Sequence, residues 1–401
     1  MRRRNFLAMA ASAAGMAALS APAVASAAAT GSRAKQGQGR PGDAPAPTSL
    51  RGLAQQIGLR IGVAASPFDL ATPNYTAVLG SQFSTVTPEN AMKWGVVEPT
   101  QGQFSWTDAD NLMAFAEQHG QLVRGHTLLW HNQLPNWLTT GVANGTISDA
   151  RLRQLLHDHI HTEVGRYRGR IWQWDVANEF FANTFDSSPP LPDGISSGDF
   201  WVQHLGEGII ADAFRWAHEA DPRALLFYND FNIAGEDGTN LKSDNVYKWL
   251  QTMLDQGVPI HGVGNQGHQD TQYGFPTQMT QDLQRYAGLG LKVAITEADV
   301  RTFVNNSTQQ VPTDHLATFA QPYEFSQMMQ ACLAVPQCIS FTVWDLSDAV
   351  SWVPGVFHGE GYATLYDVDL NPKPAYFALQ QDLRLAAFGA PHRVETTFSG
   401  G

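Results

Sequence analysis

Cysteine is nearly absent from this chain of 401 residues: only Cys332 and Cys338 occur. Two thiols alone do not make a structural zinc site, and their close spacing does not suggest cysteine catalysis. In an exported protein they either form a disulfide across a short loop or stay two buried thiols. Basic residues are also few. Lys and Arg number 25 against 37 Asp and Glu, for a formal net charge of -12. No basic stripe stands out, which argues against nucleic-acid binding, because phosphate contacts need clustered Lys and Arg. A neutral, polyhydroxylated ligand is compatible with this charge. Several motifs are missing. The first candidate strand runs into Ala65-Ser66-Pro67-Phe68 rather than a glycine-rich phosphate turn. Gly288-Leu289-Gly290 precedes a strand and cradles no phosphate. There is no His-Glu-x-x-His and no Gly-x-Ser-x-Gly.

The N-terminus carries a clear processing signal. Arg2, Arg3 and Arg4 precede Asn5-Phe6-Leu7, an Ala-rich apolar run reaches Leu19, and small residues follow through Ala27. This is the pattern of a signal peptide over residues 1–27, cleaved after Ala25 or Ala27. Arg3 to Leu7 also resembles a twin-arginine export signal. The stretch is short and weakly hydrophobic for a membrane anchor. Residues 28–49 are rich in Gly, Ala, Pro and Ser and read as a flexible tether. Aromatics are frequent, with 11 Trp, 10 Tyr and 21 Phe. Core packing accounts for most Phe, whereas Trp is seldom fully buried and suits flat sugar-binding surfaces.

From residue 50 to 388 no long linker divides the chain, and residues 389–401 form a short tail. Eight apolar runs alternate with helical periodicity: Ile57–Ala64, Phe83–Thr87, Leu122–Thr127, Ile171–Val176, Ala224–Tyr228, Ile260–Gly264, Lys292–Thr296 and Ile339–Val343. Helices are expected over Asp108–His119, Ala150–Tyr167, Ile209–Glu219 and Ser243–Gln256. Eight βα units at this length predict an α/β fold, a (β/α)8 TIM barrel, ahead of an open doubly wound sheet.

In such a barrel the carboxyl ends of the strands face one site. Glu89-Asn90 follows strand two, His126 lies in strand three, and Asn178-Glu179 closes strand four. Tyr228-Asn229-Asp230 follows strand five, Gln266-Gly267-His268 strand six, Glu297-Ala298-Asp299 strand seven and Trp344 strand eight. Glu179 and Glu297 can therefore face each other across the mouth. Two carboxyls are what glycoside hydrolysis requires: one protonates the leaving oxygen, the other attacks the anomeric carbon or activates water. The apolar-aromatic setting of Glu179 (Trp174, Phe180, Phe181) favours the acid role by raising its pKa on partial burial. His268 and Asp299 are the expected neighbours of Glu297. The competing readings are a Glu that merely pairs with a basic residue, and a metal site drawing on His126, His131 or His268.

These residues resemble glycoside hydrolase family 10, the retaining endo-β-1,4-xylanases. The resemblance spans about residues 55 to 382. It rests on Val86 to Trp94, Arg124 to His131, Trp174 to Glu179, Tyr228 to Asn232, Gly264 to His268, Ile295 to Val300 and Pro372 to Tyr376. It implies Glu179 as acid/base and Glu297 as nucleophile, with Asn178 on the sugar 2-hydroxyl and His268 and Asp299 tuning Glu297. Glu89, Asn90, Lys93 and His126 would bind sugar hydroxyls. Trp130, Trp344 and Trp352 would wall the subsite of the cleaved sugar, Gln266 would lie near both carboxylates, and Tyr228 would face the leaving-group side. The family's short-loop disulfide matches Cys332–Cys338. A β-1,4-linked polysaccharide or oligosaccharide is the implied substrate, and the expectations are a secreted monomer with no cofactor, no metal and no stable membrane association. Alternatives are a relative specialised for another β-glycan or a plant glycoside, and a non-catalytic carbohydrate-binding protein.

The chain departs from the family pattern in places. Trp344 is followed by Asp345 where Gly is usual, Ala298 replaces the commoner Leu, and Gln269 follows His268. The segment 182–200, after Glu179, also differs. A carboxylate at 345 would alter the loop or repel an acidic substituent, so these positions bear on which glycan is preferred.

Overall fold

The computed structural model describes residues 45–389 apart from Asp237. The expected export signal, most of the tether and nearly all of the tail lie outside the described residues. The barrel strands are β1 (Arg60–Ala65), β2 (Thr85–Pro88), β3 (Leu122–Leu129), β4 (Ile171–Asn178), β5 (Leu225–Asp230), β6 (Gly262–Asn265), β7 (Lys292–Phe303) and β8 (Cys338–Val343). Neighbours pair in parallel, and β8 pairs with both β7 and β1. The sheet is thereby closed and the expected (β/α)8 barrel is found.

Sequence and structure differ mainly at the ends of elements. The first strand begins at Arg60 rather than Ile57, because Leu50–Gln56 is a helix whose last turn is closed by the Ile57 N–H on Ala54. Ser49 starts that helix by accepting from the Gly52 N–H at 3.0 Å, so the tether ends there. The seventh strand runs past Thr296 to Phe303. Its outer end gains partners from two short strands, His268–Asp270 in parallel and Glu360–Gly361 in antiparallel. The four expected helices are found within two residues of their expected ends. Helices at Pro73–Gln82, Met279–Ala287, Ala317–Leu333 and Pro374–Gly389 complete the outer ring.

Burial follows from composition. Trp172, Phe227, Ala294 and Ile339 pack with Leu122 and Leu225 inside the lower barrel. Outside it, helix Gly208–Ala220 buries Ile209, Ile210, Ala213, Phe214 and Ala217, one apolar face at helical spacing. Each large side chain so buried stabilises by roughly 1.5–3 kcal/mol. Helix Asp149–Arg166 starts where Ser148 accepts from the Arg151 N–H and ends on Arg166, whose charge suits the helix C-terminus. Trp94, Trp172, Trp174, Trp201 and Trp249 serve the core rather than a surface. Cys332 and Cys338 form a disulfide tying helix Ala317–Leu333 to β8, which leaves no buried thiol.

Candidate active site

The carboxyl end of β4 places two neighbouring side chains on the same site. In an extended strand Asn178 and Glu179 would point to opposite faces. Glu179 instead adopts a left-handed backbone, φ 61°. That conformation is costly for a residue with a Cβ and breaks the alternation. One amide, Gln266 Nε2, then reaches both side chains, lying 2.9 Å from Glu179 Oε1 and 3.4 Å from Asn178 Oδ1. Trp130 Nε1 donates to the other Glu179 oxygen at 2.8 Å. Both Glu179 oxygens thus accept from neutral N–H donors.

Glu297 is held differently. Asn229 Nδ2 donates to its Oε1 at 2.8 Å, and His268 Nε2 lies 3.5 Å from its Oε2. His268 Nδ1 is 2.9 Å from Asp299 Oδ2. Burial alone would lower the His268 pKa, but the charge and hydrogen bond of Asp299, with those of Glu297, raise it to about 10. The imidazole is therefore a cation. Burial would likewise raise Glu297, yet the His268 hydrogen bond and the charges of His126, His268 and Arg124 prevail and hold it at about 2. Glu297 is ionised although it is only 5% exposed.

The two carboxylates belong to one network. Asn229 Nδ2 bonds Asn178 Oδ1 at 2.8 Å as well as Glu297, and Thr296 Oγ1 donates to Asn229 Oδ1 at 2.7 Å. Asn178 Oδ1 therefore accepts from both Asn229 and Gln266, which leaves its Nδ2 free to donate to a ligand. The close packing needs Gly264: a Cβ there would stand 2.4 Å from Asn229 Oδ1.

Around this centre, Lys93 Nζ donates to Asn90 Oδ1 at 3.0 Å and sits 4.8 Å above the Trp130 ring. Burial lowers the Lys93 pKa, opposed by Glu297, Glu89, Glu179 and Asp345. Burial raises the Glu89 pKa, against the pull of Lys93 and Asn90. His126 Nδ1 bonds Asp175 Oδ2 at 2.9 Å, and the edge of its ring meets Trp344. Trp352 Nε1 donates to Asp299 Oδ2 at 2.8 Å, with its ring against His268. His126, Asp175 and Glu297 each place one potential ligand atom within 4.8 Å of the others. Those side chains already serve the hydrogen bonds and ion pairs just described, and the Arg124 guanidinium approaches Asp175 to 3.6 Å.

Thirteen of the fourteen expected site residues gather in this region, and Tyr228 does not. It is fully buried on the outer face of β5, against Phe181 and Trp249. Its hydroxyl donates to Asp230 and accepts from the Phe180 N–H, so it braces the chain after Glu179 instead of facing a leaving group. Strand alternation accounts for this. Phe227 points into the barrel, so Asn229, two residues on, does too, and Tyr228 points out. The same alternation could have identified Asn229, the link between the carboxylates. Thr296 and Asp175 were also missed. Each supports a neighbour in the site, Asp175 through His126 and Thr296 through Asn229.

The glycosyl hydrolase family 10 model matches residues 49–382. An endo-1,4-beta-xylanase of Agaricus bisporus is 38% identical over 330 residues, covering 82% of this chain and 92% of its own. Endo-1,4-beta-xylanase B of Thermotoga neapolitana is 36% identical over 335 residues, covering 83% and 90%. Among solved structures, native xylanase 10B from Thermotoga maritima superposes with TM-score 0.76 at 35% identity, over 85% of this chain and 100% of that one. Xylanase 10B from Thermotoga petrophila RKU-1, solved with xylobiose, gives TM-score 0.76 at 35% identity, over 84% and 98%.

Proposed function

Because the chain belongs to glycosyl hydrolase family 10, we propose that it is a retaining endo-β-1,4-xylanase, with Glu297 as nucleophile and Glu179 as acid/base. The observation that carries the reading is the unequal support of two joined carboxylates. Glu297 carries a cationic donor, which keeps it ionised and ready to attack the anomeric carbon. Glu179 instead accepts its hydrogen bonds from the neutral donors Trp130 and Gln266.

In the first step Glu297 bonds to the anomeric carbon while Glu179 gives its proton to the departing glycosidic oxygen. The product is a glycosyl ester on Glu297 and a free sugar hydroxyl. In the second step Glu179 takes a proton from water, whose oxygen displaces Glu297. Two inversions at one carbon give net retention. The free Asn178 Nδ2 donates to the sugar 2-hydroxyl, a bond that strengthens as oxocarbenium charge develops. Lys93, Asn90, Glu89 and His126 meet hydroxyls, and Trp130, Trp344 and Trp352 supply the aromatic wall. The ligand is a β-1,4-linked xylan or xylo-oligosaccharide, in keeping with the xylobiose bound by the Thermotoga petrophila enzyme. The reading extends to a secreted monomer exported through a twin-arginine route, on the strength of Arg3 to Leu7 and the small residues before Ala27.

The test is incubation with xylan, cellulose, mixed-linkage glucan and aryl β-glycosides. Xylan yields mixed xylo-oligosaccharides, and proton NMR finds the β-anomer first. Glu179→Gln and Glu297→Gln each lose most activity on xylan and still bind oligosaccharide. No new reducing ends from any xylan, or an α-anomer formed first, overturns the proposal.

A further inference from the structure

Asp345 lies at the end of β8, directly after the wall residue Trp344. It is 2% exposed and adopts a left-handed backbone, φ 69°. Gly takes that conformation at little cost, whereas a residue with a Cβ pays for it. An explanation is needed for a buried carboxyl at such a position, and its hydrogen bond supplies one. Asp345 Oδ2 accepts from the Trp352 backbone N–H at 3.1 Å. The same Trp352 donates through its indole to Asp299, Asp299 holds His268, and His268 approaches Glu297.

We propose that Asp345 is a positioning residue for glycoside cleavage: it fixes the backbone of Trp352, and through Trp352, Asp299 and His268 it fixes the nucleophile Glu297. The inference rests on the xylanase reading for its reaction. A Gly at 345 satisfies the backbone angle but offers no acceptor. Trp352 would then lose its anchor to the strand end, and both the aromatic wall and the Asp299 hydrogen bond would loosen.

The electrostatic setting adds a second consequence. Facing the Asp345 carboxyl are Glu89 beyond β2, Asp69 beyond β1 and Asp299 on β7, with Lys93 and the Tyr75 hydroxyl also within its field. Burial, then the charge of Glu89, push Asp345 well above the usual carboxylate range, against the pull of the Trp352 hydrogen bond. The neutral acid fits this site, and its ionisation would add a negative charge to a group already rich in them. Asn keeps the amide oxygen as acceptor, stays neutral at all pH and tolerates left-handed backbone.

The experiment compares wild type, Asp345→Gly and Asp345→Asn. Each is assayed for kcat and KM on xylan and on an aryl β-xylobioside across pH, for Tm, and for the His268 ring proton by NMR. D345G is expected to lose about tenfold in kcat/KM, to move the His268 resonance, and to keep or raise its Tm because Gly relieves the backbone. D345N is expected to stay within about twofold of wild type at acid pH, and to outlast it on the alkaline side. Wild-type turnover in D345G with an unmoved His268 resonance overturns the proposal, as does a D345N variant as impaired as D345G. A wild type that cleaves no xylan refutes the xylanase reading instead, while the NMR comparison still tests the positioning role.

Discussion

Replacing His268 with Gln removes a cation from beside Glu297 and keeps an N–H donor of similar reach. The wild-type carboxyl is held at about 2, against an ordinary value of 4.5, although burial pushes it the other way. At 1.36 kcal/mol per unit that difference corresponds to about 3 kcal/mol favouring the ionised form. Loss of one adjacent opposite charge moves a carboxyl by roughly 1–3 units, so the Glu297 pKa in His268→Gln should rise by at least one. The assay is kcat/KM against pH on an aryl β-glycoside whose leaving group needs no proton, so that only the nucleophile's ionisation is read. Wild type should show no acidic fall above about pH 3, and H268Q should fall at a pH at least one unit higher. Stability should follow the same pair. The depressed Glu297 contributes fully above its unfolded value of 4.5 and loses that contribution as pH falls through about 2. The raised His268 contributes fully below 6.5 and loses its contribution as pH rises through about 10. Both act in full between pH 4.5 and 6.5, so the Tm deficit of H268Q should be greatest there. An acidic limb that does not move in H268Q would refute this account of why Glu297 is ionised.

Asn229→Ala removes the only side chain among the described residues that bonds both Asn178 and Glu297. It should lower kcat/KM on xylan by roughly 10–100-fold with little change in oligosaccharide Kd measured calorimetrically. Cys332→Ser with Cys338→Ser opens a cross-link between residues six apart, a loop short enough that denaturant unfolding should show a loss of only about 2 kcal/mol. Activity at 25 °C should be unchanged, because the disulfide lies at the amino end of β8, away from the cleft.

The barrel was legible because its parallel strands are short, apolar and evenly spaced, and because polar residues recur at their carboxyl ends. Ends of elements were less so. Ile57 is apolar enough to extend a strand, yet the helix before it claims its N–H. Thr296 reads as the end of a strand until two short segments, distant in sequence, pair with the residues from Asp299 to Phe303. Helix Ala317–Leu333 contains Pro322, which masks its periodicity. Within the site, Glu179, Glu297, Asn178, His268 and Asp299 stood out through motif and strand position. For Tyr228 the resemblance implied a leaving-group role, whereas its parity on β5 turns it outward against Phe181 and Trp249. Asn229 lay one position away and carries the bridge.

The division of labour between two chemically identical side chains comes from what donates to each. A neutral donor stabilises a carboxylate by hydrogen bonding alone. A cationic donor whose own charge is locked by a second carboxylate opposes proton uptake at every working pH. Trp130 and Gln266 place Glu179 in the first condition. His268, held by Asp299, places Glu297 in the second. Asp299 therefore matters to the nucleophile although no bond between them is seen: it keeps His268 charged, and it accepts the Trp352 indole that walls the sugar. A loop anchor such as Asp345, which hydrogen-bonds the Trp352 backbone, can then reach the reacting carboxylate through three hydrogen-bonded side chains. Hence the strained angle at residue 345 and the low pKa at Glu297 belong to one supporting chain.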